Sequence, residues 1–158
     1  NYLDYRIKKY DKMGFFREIW VIVHKYRFKV YYKDVDQMGI VYYSRYLEYF
    51  EQARTELLSM VGLNVTTIEK SGIFIPVVVS HCEYKKGANF EDELVVVTQI
   101  HEIPKSKLRI NYIIKNLNLD QTYTEGYTIH AFLKNNGMAV RAPDSVLEAI
   151  KNFWLTDQ

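Results

Sequence analysis

From Tyr26 the chain alternates in polarity, with Tyr26, Phe28, Val30 and Tyr32 on one side and Arg27, Lys29 and Tyr31 on the other. That period of two predicts a strand with one buried face. Past residue 44 the period changes. Tyr46, Leu47, Phe50, Ala53, Leu57, Leu58 and Val61 recur at helical spacing, with Glu48, Gln52 and Glu56 largely off the stripe. Ser44 is placed as the N-cap and Gly62 at the C′ position, giving a helix of about five turns. Thr66 or Thr67 is expected to cap a short second helix ending at Gly72. Four runs rich in β-branched and aromatic residues follow: Phe74–Tyr84, Glu93–Glu102, Lys107–Asn116 and Thr122–Leu133. Gly87-Ala88-Asn89, Pro104, Asn118–Asp120 and Asn135-Asn136-Gly137 mark their breaks and ends. Connections this short favour antiparallel neighbours, so a four-strand meander is expected. Ala142-Pro143-Asp144 then opens a last helix bearing Val146, Ile150 and Phe153. One helix cannot cover both faces of such a sheet, but a strongly curved sheet can wrap around it. The class is α+β.

Composition narrows this picture. A length of 158 residues, 48% of them hydrophobic and 25% charged, fits one globular domain with a sizeable core. The net charge of +2 is too small to point to nucleic acid, so an anionic ligand would need a local basic patch. The lone cysteine, Cys82, excludes an internal disulfide and a cysteine-only zinc site and fits a reducing compartment. No apolar run approaches the ~18 residues of a membrane span. Residues 1–23 mix tyrosines with Arg6, Lys8, Lys9, Lys12 and Arg17 and show no secretory pattern. They are set apart as an N-terminal extension without an assigned role: a trimmed start, a targeting remnant, or a segment ahead of Met13. The domain proper is taken as residues 24–158. A cytoplasmic location is expected, or an organellar one if the extension is a targeting remnant.

The chemistry concentrates between the first strand and the long helix. Asp34 and Asp36 are followed by Gly39 and by Ile40-Val41-Tyr42-Tyr43. That order sets a carboxylate beside a helix N-terminus, whose first N–H groups lack intrahelical partners. An acid next to an anion-stabilising pocket is what acyl hydrolysis requires. The same acid also suits an Asx turn or a helix cap, the more common use of aspartate before a helix. A calcium loop is excluded, because its fifth and twelfth positions would be Met38 and Arg45, which offer no oxygen ligand. Gly39 serves either a close approach to substrate or an ordinary turn. His81 and Cys82 are adjacent on a strand and point to opposite faces, so they form no couple. His24, His101 and His130 lack metal-ligand spacing, and no metal site is expected. No Gly-x-Ser-x-Gly, phosphate loop or dinucleotide fingerprint is present.

Three stretches carry a resemblance: Val30-Tyr31-Tyr32-Lys33-Asp34-Val35-Asp36, Gly39-Ile40-Val41-Tyr42-Tyr43, and Tyr49-Phe50-Glu51-Gln52-Ala53-Arg54-Thr55-Glu56. With Val77–Tyr84, Asp92–Ile100 and Arg141-Ala142-Pro143, they resemble hotdog-fold acyl-CoA thioesterases of the 4-hydroxybenzoyl-CoA thioesterase and YbgC type, over about residues 24 to 155. The resemblance implies a hotdog fold, in which a curved antiparallel sheet wraps a long central helix. It implies edge-to-edge pairing into homodimers or homotetramers, active sites at the dimer interface, and hydrolysis of an acyl-CoA to free acid and CoA without metal or organic cofactor. By position, Asp36 is the catalytic carboxylate, as nucleophile or general base. The Tyr43 N–H, in the first helical turn, polarises the carbonyl, and Gly39 shapes the turn between them. Some members carry histidine where this chain has Tyr43, and Lys85-Lys86-Gly87-Ala88 replaces an x-x-Pro-Ala turn.

Coenzyme A is polyanionic, so cations are expected at the pocket mouth. Lys85, Lys86, Lys105, Lys107, Arg109 and Arg141 are the candidates, with Lys105, Lys107 and Arg141 preferred. Glu51, Arg54 and Glu56 are assigned to ion pairs or an interface rather than to catalysis. An acyl-carrier protein is the alternative thiol carrier. Two rival functions stand beside hydrolysis. An acyl-thioester hydratase or dehydratase would use a histidine that the 36–43 segment lacks. A non-catalytic acyl-CoA-binding module would need no carboxylate.

Overall fold

The computed structural model describes residues 5–10 and 16–156, with side chains from 21 to 153. Strand β1 (Tyr5–Tyr10) pairs antiparallel with β2 (Phe16–Lys29), and β2 continues across residue 23, where the extension was drawn. After a single 3-10 turn at Tyr32–Asp34 come helices α1 (Arg45–Met60) and α2 (Val65–Lys70). Then follow β3 (Ile73–Phe74), β4 (Val77–Tyr84), β5 (Glu93–Ile100), β6 (Lys107–Asn116), β7 (Thr122–Lys134), β8 (Ala139–Val140) and helix α3 (Asp144–Thr156).

Among the described residues the strands form one eight-stranded antiparallel sheet in the order β1-β2-β5-β6-β7-β3, with β4 and β8 also on β7. The fold is α+β, with a curved sheet around a central helix. The expected four-strand meander is only partly present. β5, β6 and β7 follow one another as neighbours, but β4 crosses to the far edge of β7, and β5 pairs with β2 instead. Period-two polarity states that a strand has two faces; it does not name the strand beside it.

Three local expectations also shift. The first strand ends at Lys29 rather than Tyr32, because Val30 donates to the Asp92 carbonyl and the Asp34 carboxylate captures the Tyr31 N–H at 3.2 Å. Tyr32 is consequently exposed. Leu47 falls off the apolar stripe of α1 and is exposed too. Asn64, not Thr66 or Thr67, precedes α2 as its cap residue. The end of α1 is as read: Gly62 takes φ +80°, its N–H bonds the Ser59 carbonyl, and the Leu63 N–H bonds that of Leu58. This is the paired closure that an L-residue at C′ would strain.

The core joins one face of α1 to the concave face of the sheet. Tyr46, Phe50, Ala53 and Leu57 pack against residues such as Leu94, Val96, Ile110 and Ile114, and α3 adds Val146 and Ile150. Phe50 stacks on Tyr112 with ring centroids 4.4 Å apart. Gly126 of β7 lies under this stack. A Cβ there would come within 2.7 Å of the Phe50 ring and would collide with the His81 carbonyl. The glycine is thus required for the close approach of helix and sheet.

A buried polar chain runs beside it. The Nδ1 of His130 faces the Ile75 carbonyl at 3.2 Å, so that nitrogen carries the proton. Its Nε2 then accepts from Thr128 at 2.8 Å, and the Thr128 oxygen accepts from Tyr112 at 2.7 Å. Burial, and then the nearby Arg54, push the His130 pKa down from 6.5 to about 4. The sign follows: the unfolded chain takes up this proton first, so the neutral residue's stabilisation is complete above pH 6.5 and is lost as pH falls toward 4. We expect His130→Gln to be less stable than the parent at pH 7. Its unfolding free energy should nevertheless fall less between pH 6.5 and 4, by up to about 3 kcal/mol. Equal slopes in denaturant titrations across that range would contradict this account.

Candidate active site

Residues Val35 to Val41 form a tight reversal closed by an antiparallel bridge between its two ends. Asp36 donates its N–H to the Ile40 carbonyl and accepts the Gly39 N–H on its own carbonyl, both at 2.9 Å. Gly39 has φ +76°, a conformation that a side chain disfavours, and a Cβ there would otherwise meet open space. The turn role is therefore the one the geometry displays for Gly39. Asp36 Oδ1 accepts the Met38 N–H at 2.8 Å, an Asx turn. Thus the structural use of Asp36 is realised through one oxygen. Among the described residues Oδ2 has no hydrogen-bond partner, and neither oxygen has an ion pair.

The reversal is pinned to the sheet's end from the other side. Val41 N–H donates to the Ala88 carbonyl at 2.8 Å, Ile40 bridges Asn89, and the Ala88 N–H donates to the Tyr46 hydroxyl at 3.2 Å. Gly87 packs on Ile40 so closely that an added Cβ would lie 3.0 Å from it. The Lys85-Lys86-Gly87-Ala88 segment therefore forms the wall of the turn, with both lysine N–H groups bonded to the Tyr123 carbonyl.

Between turn and wall opens a cavity of about 290 Å³, bordered by Asp36, Tyr42, Tyr43, Tyr46 and Tyr84, with Lys85 and Lys86 at its rim. Lys85 is tied to Glu83 at 2.6 Å, and the Lys86 ammonium lies 5.1 Å above the Tyr123 ring. Burial pushes the Tyr46 hydroxyl above its ordinary pKa. Tyr43 does not sit in the first helical turn as expected. It lies in the turn before Ser44, the residue ahead of α1, which is itself in helical conformation and caps nothing with its side chain. The Tyr42 carbonyl accepts the Arg45 N–H at 2.9 Å, and among the described residues the Tyr43 N–H has no acceptor. That amide belongs to the same peptide plane as the bonded Tyr42 carbonyl, so this bond restrains it from one side.

Asp34, the first acid of the pair, plays a different part. It is 4% exposed, accepts the Tyr31 N–H and lies 4.0 Å from the Arg45 Nε, while Arg45 also binds Glu48 at 2.6 Å. Asp34 builds the entry to the helix. Asp36 faces the cavity.

The remaining candidates are elsewhere. Glu51 borders a separate cleft of about 370 Å³ with Arg54, Glu69, Phe74 and His130. Lys105 and Arg141 are brought together, since the Ala142 N–H donates to the Lys105 carbonyl at 2.7 Å. Lys107 pairs with Ala131, however, whereas Tyr84 at the cavity pairs with Thr124, seven residues away on β7. The preferred cations thus lie on the order of 20 Å along the strands from Asp36 in the same chain. The sequence reading passed over Tyr84. Its only signal was a strand-end tyrosine next to the loop that walls the site.

The residues between 30 and 150 match the family model described as the thioesterase-like superfamily. The chain belongs to this superfamily. Thioester hydrolysis is its class of activity. A protein of Aquifex aeolicus that carries an esterase name is 32% identical over 127 residues, 80% of this chain and 97% of that one. The acyl-CoA thioesterase YbgC of Helicobacter pylori is 32% identical over 97 residues, 60% of this chain and 71% of its own length. The crystal structure of a DHNA-CoA thioesterase from Staphylococcus aureus superposes with a TM-score of 0.76 at 24% identity, covering 85% of this chain and 93% of that one; at that identity it speaks for the fold. Among the described residues no helix is long and apolar enough to cross a membrane.

Proposed function

We propose that the protein hydrolyses the thioester bond of an acyl-CoA, releasing a free acid and coenzyme A. The observation that supports this reading is the shared cavity: Asp36, with one carboxylate oxygen unbonded among the described residues, and Tyr43 both border one space at the entry of α1. A thioester seated there places its carbonyl carbon toward Asp36 and its oxygen toward the Tyr43 N–H. The free carboxylate oxygen either attacks the carbon, expelling the thiolate and leaving a mixed anhydride for water to cleave, or takes the proton of an attacking water. In both routes charge grows on the carbonyl oxygen, where a fixed amide donor near a helix N-terminus is worth roughly 3 kcal/mol. Neither route requires a metal or an organic cofactor. An acyl-carrier protein remains the other thiol carrier compatible with this chemistry, and the unpaired Cys82 accords with a reducing, cytoplasmic setting.

Assembly follows from the same geometry. β4 bonds β7 along one side, and Val77, Val78 and Val79 are 45, 48 and 39% exposed on a strand whose other edge has no partner among the described strands. An exposed apolar edge of this kind pairs with another strand. Antiparallel pairing of β4 with its copy reverses the ends of the sheet, so the partner's Lys105, Lys107 and Arg141 approach the Asp36 cavity. The 20 Å separation within one chain is then the arrangement a two-chain site needs. The family resemblance implies the same pairing.

Asp36→Asn should keep the melting temperature and lower kcat by about 100-fold or more in a thiol-release assay over a panel of acyl-CoAs. Near-parental turnover would end this assignment. Binding without release in the parent would instead favour a non-catalytic module, and hydration of an enoyl thioester would favour the hydratase reading. For Arg141→Ala we expect a KM several-fold higher at nearly constant kcat, as for lost uniform binding; an unchanged KM would place the coenzyme phosphates elsewhere. Val78→Glu should shift the sedimenting species from dimer or tetramer to monomer and abolish turnover together. An active monomer would refute the two-chain site.

A further inference from the structure

Tyr84 closes β4 and reaches across the cavity to the segment entering α1. Its hydroxyl donates to the Tyr43 carbonyl at 3.0 Å, a contact between residues 41 apart in sequence. Its ring meets that of Tyr46 nearly edge-on, with centroids 5.4 Å apart. Tyr46 is buried and holds Ala88 through its own hydroxyl, so the Tyr84 ring rests on a fixed base. Tyr84 itself is half-exposed and borders the cavity.

The consequence lies in the backbone of Tyr43. This residue stands in a turn outside α1, so no helical ladder bond restrains it. The peptide plane before it, which carries its N–H, is held by the bond from Arg45 to the Tyr42 carbonyl. The plane after it has the Tyr84 hydroxyl on its carbonyl. Tyr43, which borders the cavity, is therefore clamped at both of its peptide units, and among the described residues its N–H has no acceptor. We propose that Tyr84 is a positioning residue for thioester hydrolysis, its hydroxyl holding the Tyr43 carbonyl so that the Tyr43 amide hydrogen stays aimed at the developing oxyanion. This rests on the thioesterase reading above. Partial burial, and then the adjacent Cys82, push the Tyr84 pKa up to about 12, so its hydroxyl stays protonated as a donor across neutral and mildly basic pH.

An oxyanion donor acts only when held within about half an ångström of its productive place. Losing such a donor outright costs 10²–10³ in kcat, so loosening it should cost about tenfold. The test is Tyr84→Phe, which removes the hydroxyl and keeps the ring on Tyr46. We expect kcat to fall about tenfold by the same factor for every acyl-CoA the parent hydrolyses, with KM and melting temperature nearly constant, because the carbonyl oxygen is common to all of them. A purely structural or pocket-lining tyrosine would give a different pattern, with a raised KM, a loss that depends on the acyl group, or a kcat close to the parent's; any of these overturns the proposal. If the variant melts lower, single-turnover release is read well below both melting temperatures, and the same uniform loss is required. The two readings fail separately. A parent that releases no thiol from any acyl-CoA removes the thioesterase reading and this inference with it. A parent that is active and depends on Asp36, together with an unaffected Tyr84→Phe, removes this inference alone.

Discussion

The missing side chain at residue 126 sets the height at which α1 rests on the sheet. Phe50 lies flat over Tyr112 only because β7 presents bare backbone beneath it. A glycine inside a strand ordinarily weakens it. Here the exchange favours the fold, since a stacked, fully buried aromatic contributes several kcal/mol that a raised helix would forfeit. The seat of the helix then decides where its N-terminus arrives. Tyr46, one turn before Phe50, meets the Ala88 N–H and the Tyr84 ring, and the cavity forms around that junction.

Parts of this arrangement were legible in the sequence and parts were not. The α1 stripe, its Gly62 closure and the α3 positions Val146 and Ile150 follow from spacing alone, because a helix writes its environment into neighbours three and four apart. Asp36 reads as a candidate acid only alongside the residues that follow it; alone, it was equally an Asx turn, and the structure shows that it is one through Oδ1. Strand partners were not legible. The β4 run looks like a meander strand, yet its neighbour is 40 or more residues away on β7, and such pairing is selected by the whole packed core. Tyr84 was hidden for a related reason. It is one tyrosine of 14, and its distinguishing feature is a bond to a carbonyl 41 residues earlier. The preferred cations were read as one cluster with the site because sequence has no measure of distance along β7, and a single chain keeps them at its opposite end.

The two acids two residues apart divide the work by environment. Asp34 is buried among an amide, Arg45 and the Tyr49 ring, whose hydroxyl is pushed well above its ordinary value by burial and by that carboxylate. Asp36 stands at the surface of the cavity with one oxygen committed to its turn. Arg45 is occupied by Asp34 and by a short contact of its Nη1 with both Glu48 carboxylate oxygens, and among the described residues Asp36 has no ion pair. If Asp36 acts as proposed, an ion pair to it would stabilise the carboxylate before reaction and blunt it as nucleophile or base. On the proposed reading, engaging Arg45 elsewhere leaves the Asp36 carboxylate without an ion pair and facing a neutral donor. A neutral amide attracts the resting carboxylate far less than a guanidinium would, yet it meets the carbonyl oxygen fully once negative charge appears there. On that reading, the preference for the transition state over the ground state begins in which acid the arginine binds.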